Sequence, residues 1–343
     1  MFETFCERFM IPIIKKVLSC SILIIGIVSF SSLAKSESNP TVKVGVLKFG
    51  TINWEMDTIK RLGLDVQFGY HLDVVPLASK NAAAVALQSR AVDIIMTDAF
   101  WVAKQQSQHK DYVLFPTTIL SGGIYSKHPE IKDVDTWLRY APELGIAGGN
   151  VDKNWLLTQA YLRHQNIDIN RIKPTFAAPP LLNRMLLKEQ ISSGINFWHY
   201  TARLKAAGFT PVITTQDMLM ALGIATDVPL LGWAFDAQWA AAHQAKVTAF
   251  IRSSQSAKHV LRTQPAIWDA LSPLTKAEND AVFSMLVQDY QATLLQAFDT
   301  SHIKNFDRLL AVFAPALDLK RVSATDVFWQ PSQSIWQTPA TPP

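Results

Sequence analysis

The sequence predicts an α/β protein folded as two lobes, and three observations carry that expectation. Short β-rich runs alternate with helical stretches from Val42 onward, the pattern of parallel βαβ units. About a hundred residues later the same order returns, which predicts a second unit of the same kind. Past Leu230 the chain turns helical and adds no new βαβ set, so it is read as returning to the first lobe.

In the first set, Val42–Leu47 is a strand with Val42, Val44 and Val46 on one face, followed by a helix over Ile52–Leu62. A strand over Leu72–Leu77, an Ala-rich helix over Asn81–Arg90 and a buried strand over Val92–Thr97 complete it. The second set runs Leu144–Ala147 strand, Asp152–Gln165 helix, Thr175–Ala178 strand, Leu181–Glu189 helix and Gly194–Trp198 strand. Trp54 and Trp155 each fall just beyond the first strand of their set. Helices are expected near Ala237–Ala249, Ser256–Arg262, Lys276–Ala292 and Ile303–Phe313. The chain is expected to cross between lobes near Leu120–Gly123 and again near Asp227–Trp233, which makes both crossings a hinge. The domain reading is therefore 1–34 as a leader, 41–121 with 230–330 as a discontinuous first lobe, and 122–229 as the second.

The leader is read from Lys15-Lys16, the apolar run Val17–Phe30 and the small residues Ser32-Leu33-Ala34, the three regions of a secretory signal peptide cleaved near Ala34. A retained anchor is the competing reading, but the run is shorter than the roughly 18–20 apolar residues that span a bilayer. Both cysteines, Cys6 and Cys20, lie inside it, so the exported chain has no disulfide, Cys-ligated zinc or cysteine nucleophile. At 49% apolar and 17% charged residues the chain is not disordered, and a net charge of +4, scattered along it, points to no nucleic-acid partner.

Ligands of open α/β sheets bind beyond the carboxyl ends of the strands. Those ends carry Thr51, Asn53 and Trp54, then Ser79 and Asn81, then Asp98 and Trp101 in the first lobe. In the second they carry Gly149, Asp152, Asn154 and Trp155, then Asn196, Trp198 and His199. Gly148-Gly149 before a helix lets backbone N–H groups approach an anion, and plain helix capping by Asn150 or Asp152 explains the same residues. Ser79 has the same two readings. The tryptophans Trp54, Trp101, Trp155 and Trp198 together suit a flat or apolar ligand, while each alone suits core or lobe-interface packing. Asp98 and Glu55 are read as partners of a ligand amine or as plain capping and surface residues with no ligand role; Asp98 ends a buried strand and needs a partner there. His199 is the only one of 8 histidines at a predicted strand end, and a hydrogen-bonded structural role also explains it. No histidine pair at helical spacing suggests a metal, and no phosphate-loop, dinucleotide, nucleophile-elbow or zinc-protease motif occurs.

The stretches Lys43–Trp54, Pro76–Asn81, Val92–Trp101 and Ala147–Trp155 resemble the periplasmic solute-binding proteins of ABC importers, in the branch handling alkanesulfonates, taurine, nitrate and thiamine pyrimidines. The resemblance covers about Val42–Trp233 and is specific for the family, not for the ligand. It implies a type II-like two-lobed clamshell with its ligand in the inter-lobe cleft. It also implies a monomeric periplasmic receptor for a small solute, delivering it to an inner-membrane permease, with no cofactor, no catalysis and no nucleic-acid partner. Strand ends richer in tryptophan than in hydroxyls depart from the sulfonate pattern, so an aromatic or heterocyclic compound competes with a sulfonate-like anion. The alternative is an enzyme of the same fold that makes the thiamine pyrimidine; that branch carries a cysteine-rich motif absent after residue 34.

Overall fold

The computed structural model describes residues 39–140, 143–319 and 322–337, and from Pro40 onward the chain forms one unit. The predicted leader, with Cys6 and Cys20, lies outside the described residues. Ten strands make two five-stranded sheets. The first is ordered β2-β1-β3-β10-β4, from β1 (Thr41–Leu47), β2 (His71–Leu77), β3 (Ile94–Asp98), β4 (Tyr112–Ile119) and β10 (Pro229–Asp236). The second is ordered β7-β6-β8-β5-β9, from β5 (Gly123–Ser126), β6 (Glu143–Ala147), β7 (Lys173–Ala177), β8 (Ser193–Ile195) and β9 (Thr210–Thr214).

The two orders are the same pattern. β1 pairs in parallel with β2 and β3, and β6 in parallel with β7 and β8. In each sheet the strand that follows a crossing runs antiparallel to both its neighbours: β10 between β3 and β4, β5 between β8 and β9. The two crossings lie side by side, with the Leu120 N–H donating to the Val228 carbonyl at 3.0 Å.

Alternation explains β1, where Val42, Val44 and Val46 are buried while Thr41 and Lys43 are exposed. One apolar cluster covers a face of the first sheet through Val44, Ile94, Phe115, Trp233 and Phe250; a larger one runs through both halves and includes Phe100, Trp155, Leu157 and Phe306. Trp233, at the end of the predicted second crossing, is a fully buried member of β10 whose indole N–H donates to Ser254 Oγ at 2.8 Å.

Three expectations need correction. The strand predicted over Gly194–Trp198 ends at Ile195, because the Asn196 side chain accepts from the Phe197 N–H (2.8 Å) and donates to the Pro179 carbonyl (3.1 Å), turning the chain into a helix over Trp198–Ala206. The helix predicted from Lys276 begins at Asp280, since Lys276 takes a left-handed conformation (φ 53°) that ends the helix Ala266–Thr275, and Asn279 caps the next. The segments near Ala237–Ala249 and Ser256–Arg262 redivide at His243 into Ala237–Ala242 and one long helix, Gln244–Thr263. Strands β4, β5, β9 and β10, and the helices Ala99–Gln106, Val134–Tyr140 and Thr215–Ala221, go beyond what the sequence pattern predicts.

Candidate functional site

The parallel strands of both sheets end in helix starts, and three of the six starts carry a side-chain cap, while those after Thr51, Ala178 and Phe197 do not. Asp98 accepts from the Trp101 N–H at 3.0 Å, Ser79 from the Ala82 N–H at 3.1 Å, and Asp152 from the Asn154 and Trp155 N–H groups at 3.0 and 3.1 Å. Gly148 and Gly149 both hold positive φ (88° and 78°), and a side chain on Gly148 would meet Asp152 Oδ2 at 2.9 Å. Gly148 therefore makes room for the carboxylate cap, while Gly149 has open space around it. Burial pushes the Asp152 carboxyl up in pKa, against the opposing pull of the Trp155 N–H, Lys153 and Lys80.

Several candidates hold the loops in place. Asn53 Nδ2 donates to the Leu47 and Gly50 carbonyls at 2.9 and 2.6 Å, fixing the turn after β1. Asn154 donates to the Ser121 carbonyl (3.1 Å) and accepts from Thr215 Oγ1 (3.0 Å), which ties its helix to the first crossing. Asn196 is buried in the turn already described. Thr51 starts the helix Ile52–Arg61 without a side-chain cap, and Asn81 is exposed one residue into its own helix.

The four tryptophans separate. Trp155 is buried in the large core, and the half-buried Trp101 leans on Tyr112 at 5.5 Å between ring centres. Trp54, 3% exposed, packs edge-on against Trp198 (5.9 Å) and Trp268 (5.5 Å) and beside Tyr290 (5.5 Å), so one ring from each sheet's strand ends meets the other. The lobe-interface alternative thus describes Trp54 and Trp198, and the core alternative describes Trp155. Lys205–Asp289 (2.5 Å) and Arg203–Glu278 (3.0 Å) reinforce the same flank. Beneath Trp54, Glu55 is wholly buried and bonds Lys258 Nζ and Ser254 Oγ, overturning its reading as a surface residue. Next to Trp198, burial and Arg203 lower the His199 pKa to about 4, so its imidazole is neutral.

Two lysines escaped the sequence reading. Lys153 Nζ reaches Asp98 Oδ1 at 3.5 Å and lies 5.7 Å from the Phe100 ring centre, while Lys80 Nζ lies 5.6 Å from the ring centre of Phe197. Each lysine opens a helix in one half and reaches across to the other. A lysine in a first helical turn works against the helix dipole, and that mismatch is the signal that marked both as partners of something else. An open hollow of about 660 Å³, lined by Ala160, Arg163, Leu222, Val312, Pro315 and Ala316, contains none of these strand-end residues.

No family model matches the chain, and no curated protein does. Solved structures do match over most of its length. The periplasmic aliphatic sulphonate binding protein SsuA from Escherichia coli superposes with a TM-score of 0.69 at 13% identity, over 86% of this chain and 99% of that one. The ligand-binding component of an ABC-type import system from Staphylococcus aureus, with zinc bound, gives 0.64 at 12% identity, over 87% and 98%. A Candida albicans protein with the generic periplasmic binding protein structural fold gives 0.52 at 11% identity, over 82% and 90%. The fold is that of the periplasmic binding proteins. In a periplasmic-binding-protein fold the two sheets are the two lobes, and Lys80, Asp98, Lys153 and Phe197 stand where the strand ends of one lobe meet those of the other.

Proposed function

We propose that the chain is the extracytoplasmic substrate-binding protein of an ABC-type importer, capturing a small organic solute between its lobes and delivering it to a membrane permease. The observation that carries this reading is the meeting of strand-end residues from both sheets across the lobe boundary. Two crossings held side by side suit lobes that swing about one line. The first lobe is 41–121 with 230–330, and the second is 122–229. Ser79, Asn81, Asp98, Trp101 and Asp152 face the solute; Asn53, Asn154, Asn196, His199 and the buried tryptophans hold them. The receptor works as a monomer in the periplasm after loss of the leader near Ala34, and turns nothing over. No helix among the described residues is long and apolar enough to cross a membrane.

The test is a thermal-shift screen of the exported chain against alkanesulfonates, nitrate, pyrimidines and small organic acids and amines. A solute bound only by the folded state at a hundred times its Kd adds about 2.7 kcal/mol of stability. A shift with one class, accompanied by a smaller radius of gyration in solution scattering, supports the reading. Chemical conversion of the bound compound would replace it with an enzyme of the same fold.

A further inference from the structure

The groups at the cleft bear on which charge a solute there would carry. Three helix starts at the strand ends are filled by the chain's own acceptors, Asp152 taking two amides, Asp98 one and Ser79 one, while the starts after Thr51, Ala178 and Phe197 carry no side-chain cap. A sulfonate or nitrate approaching the starts at Ala99 and Lys153 therefore meets a carboxylate, not a bare dipole.

What the Asp98 carboxylate holds is an ammonium. Lys153 Nζ sits between Asp98 Oδ1 and the face of Phe100, and also donates to the Val151 carbonyl at 3.3 Å. Both partners are largely shielded, the lysine side chain at 20% and the aspartate at 12% exposure. A carboxylate beside an aromatic face is a receptor for a cationic nitrogen. On the opposite side of the cleft Lys80 Nζ lies over Phe197, with only a longer-range pull on Asp152 in place of an ion pair. In both corners the occupant comes from the other lobe, so any opening of the lobes withdraws the lysine and leaves the corner vacant.

We propose that the solute carries a cationic nitrogen, and that it takes the Asp98–Phe100 corner which Lys153 fills in this structure. The proposal rests on the importer reading and narrows it to organic ammonium compounds. Lys153 is then an internal competitor of the solute.

The test uses choline and putrescine as probes, with ethanesulfonate and nitrate as counter-probes, read by calorimetric titration of the exported chain. Lys153→Met should tighten binding of the ammonium probe several-fold, because the competitor is gone. Asp98→Asn, which keeps a capping side chain, should weaken it about tenfold. An ammonium probe that binds wild type and Lys153→Met equally overturns the corner. Binding of ethanesulfonate or nitrate alone, lost in Lys153→Met, overturns the cationic solute and leaves the importer reading intact. Failure of these probes together with every solute of the wider screen overturns both.

Discussion

Around Trp54 the two lobes meet through rings, while around Asp98 and Asp152 they meet through ammoniums, carboxylates and ring faces. The flank is nearly dry: Trp54, Trp268 and Tyr290 are each at most 5% exposed, and under them the wholly buried Glu55 pairs with Lys258, itself 7% exposed. The corners of the cleft are partly wet, and their lysines are held by long, bendable stems. Ring packing is lost with its full apolar area and has no substitute, whereas an ammonium on a carboxylate can be exchanged for another ammonium. The difference suits the flank to holding the molecule together and, on the proposed function, the cleft to exchange with a solute.

The hardest way to break that contrast is through Glu55. Burial drives the Lys258 pKa down, opposed by Glu55, and Glu55→Ala would leave that lysine enclosed without its partner. We expect a loss of about 3–5 kcal/mol in denaturant unfolding, and recovery of much of it when Lys258→Met is added. A loss under 1 kcal/mol would mean that water reaches the pair and that the flank is not dry. Trp198→Ala, which removes the half-buried ring facing Trp54, should cost about 2 kcal/mol, less than a fully buried tryptophan would.

Much of this frame was legible in the sequence, for a physical reason. Strands such as Val42–Leu47 and helices such as Lys153–His164 declare themselves by one-sided apolar patterns, which are local. β10 was not legible, because it enters the first sheet antiparallel after the whole second lobe has intervened, and its pairing with β3 and β4 has no local signature. The site was legible only in part. Asp98 and Asp152 announce themselves as caps, but Lys153 finds Asp98 only after folding brings residues 55 positions apart together. The glycine pair at 148 and 149 looked equally like an anion cradle, and only the position of Asp152 decides between the two uses.

His199 sharpens the comparison by pH, since it touches both Trp198 on the flank and Tyr200 beyond it. Its pKa is lowered to about 4 in the folded chain, from an ordinary value of 6.5, by burial and then by Arg203. The unfolded chain therefore binds the proton first as pH falls. The stability tied to the neutral ring is full above pH 6.5 and is lost on acidification toward pH 4. His199→Phe should flatten that part of the stability profile in denaturant titrations run from pH 7 to 4. An unchanged slope would place the imidazole in open water and detach it from the flank.

The smallest effect belongs to the cleft itself. With Asp98 and Lys153 at 3.5 Å and both in partial contact with water, removing the pair in the solute-free protein through Lys153→Met should change stability by no more than about 1 kcal/mol. Added salt should shrink even that, since it screens a pair still in partial contact with water and leaves ring packing untouched. A contact that costs so little to give up is what a solute needs to displace, and the flank, by its larger cost, keeps the lobes joined while it does so. If Lys153→Met instead destabilises as strongly as Glu55→Ala, the corner belongs to the core, the two regions are one, and no solute would find it vacant.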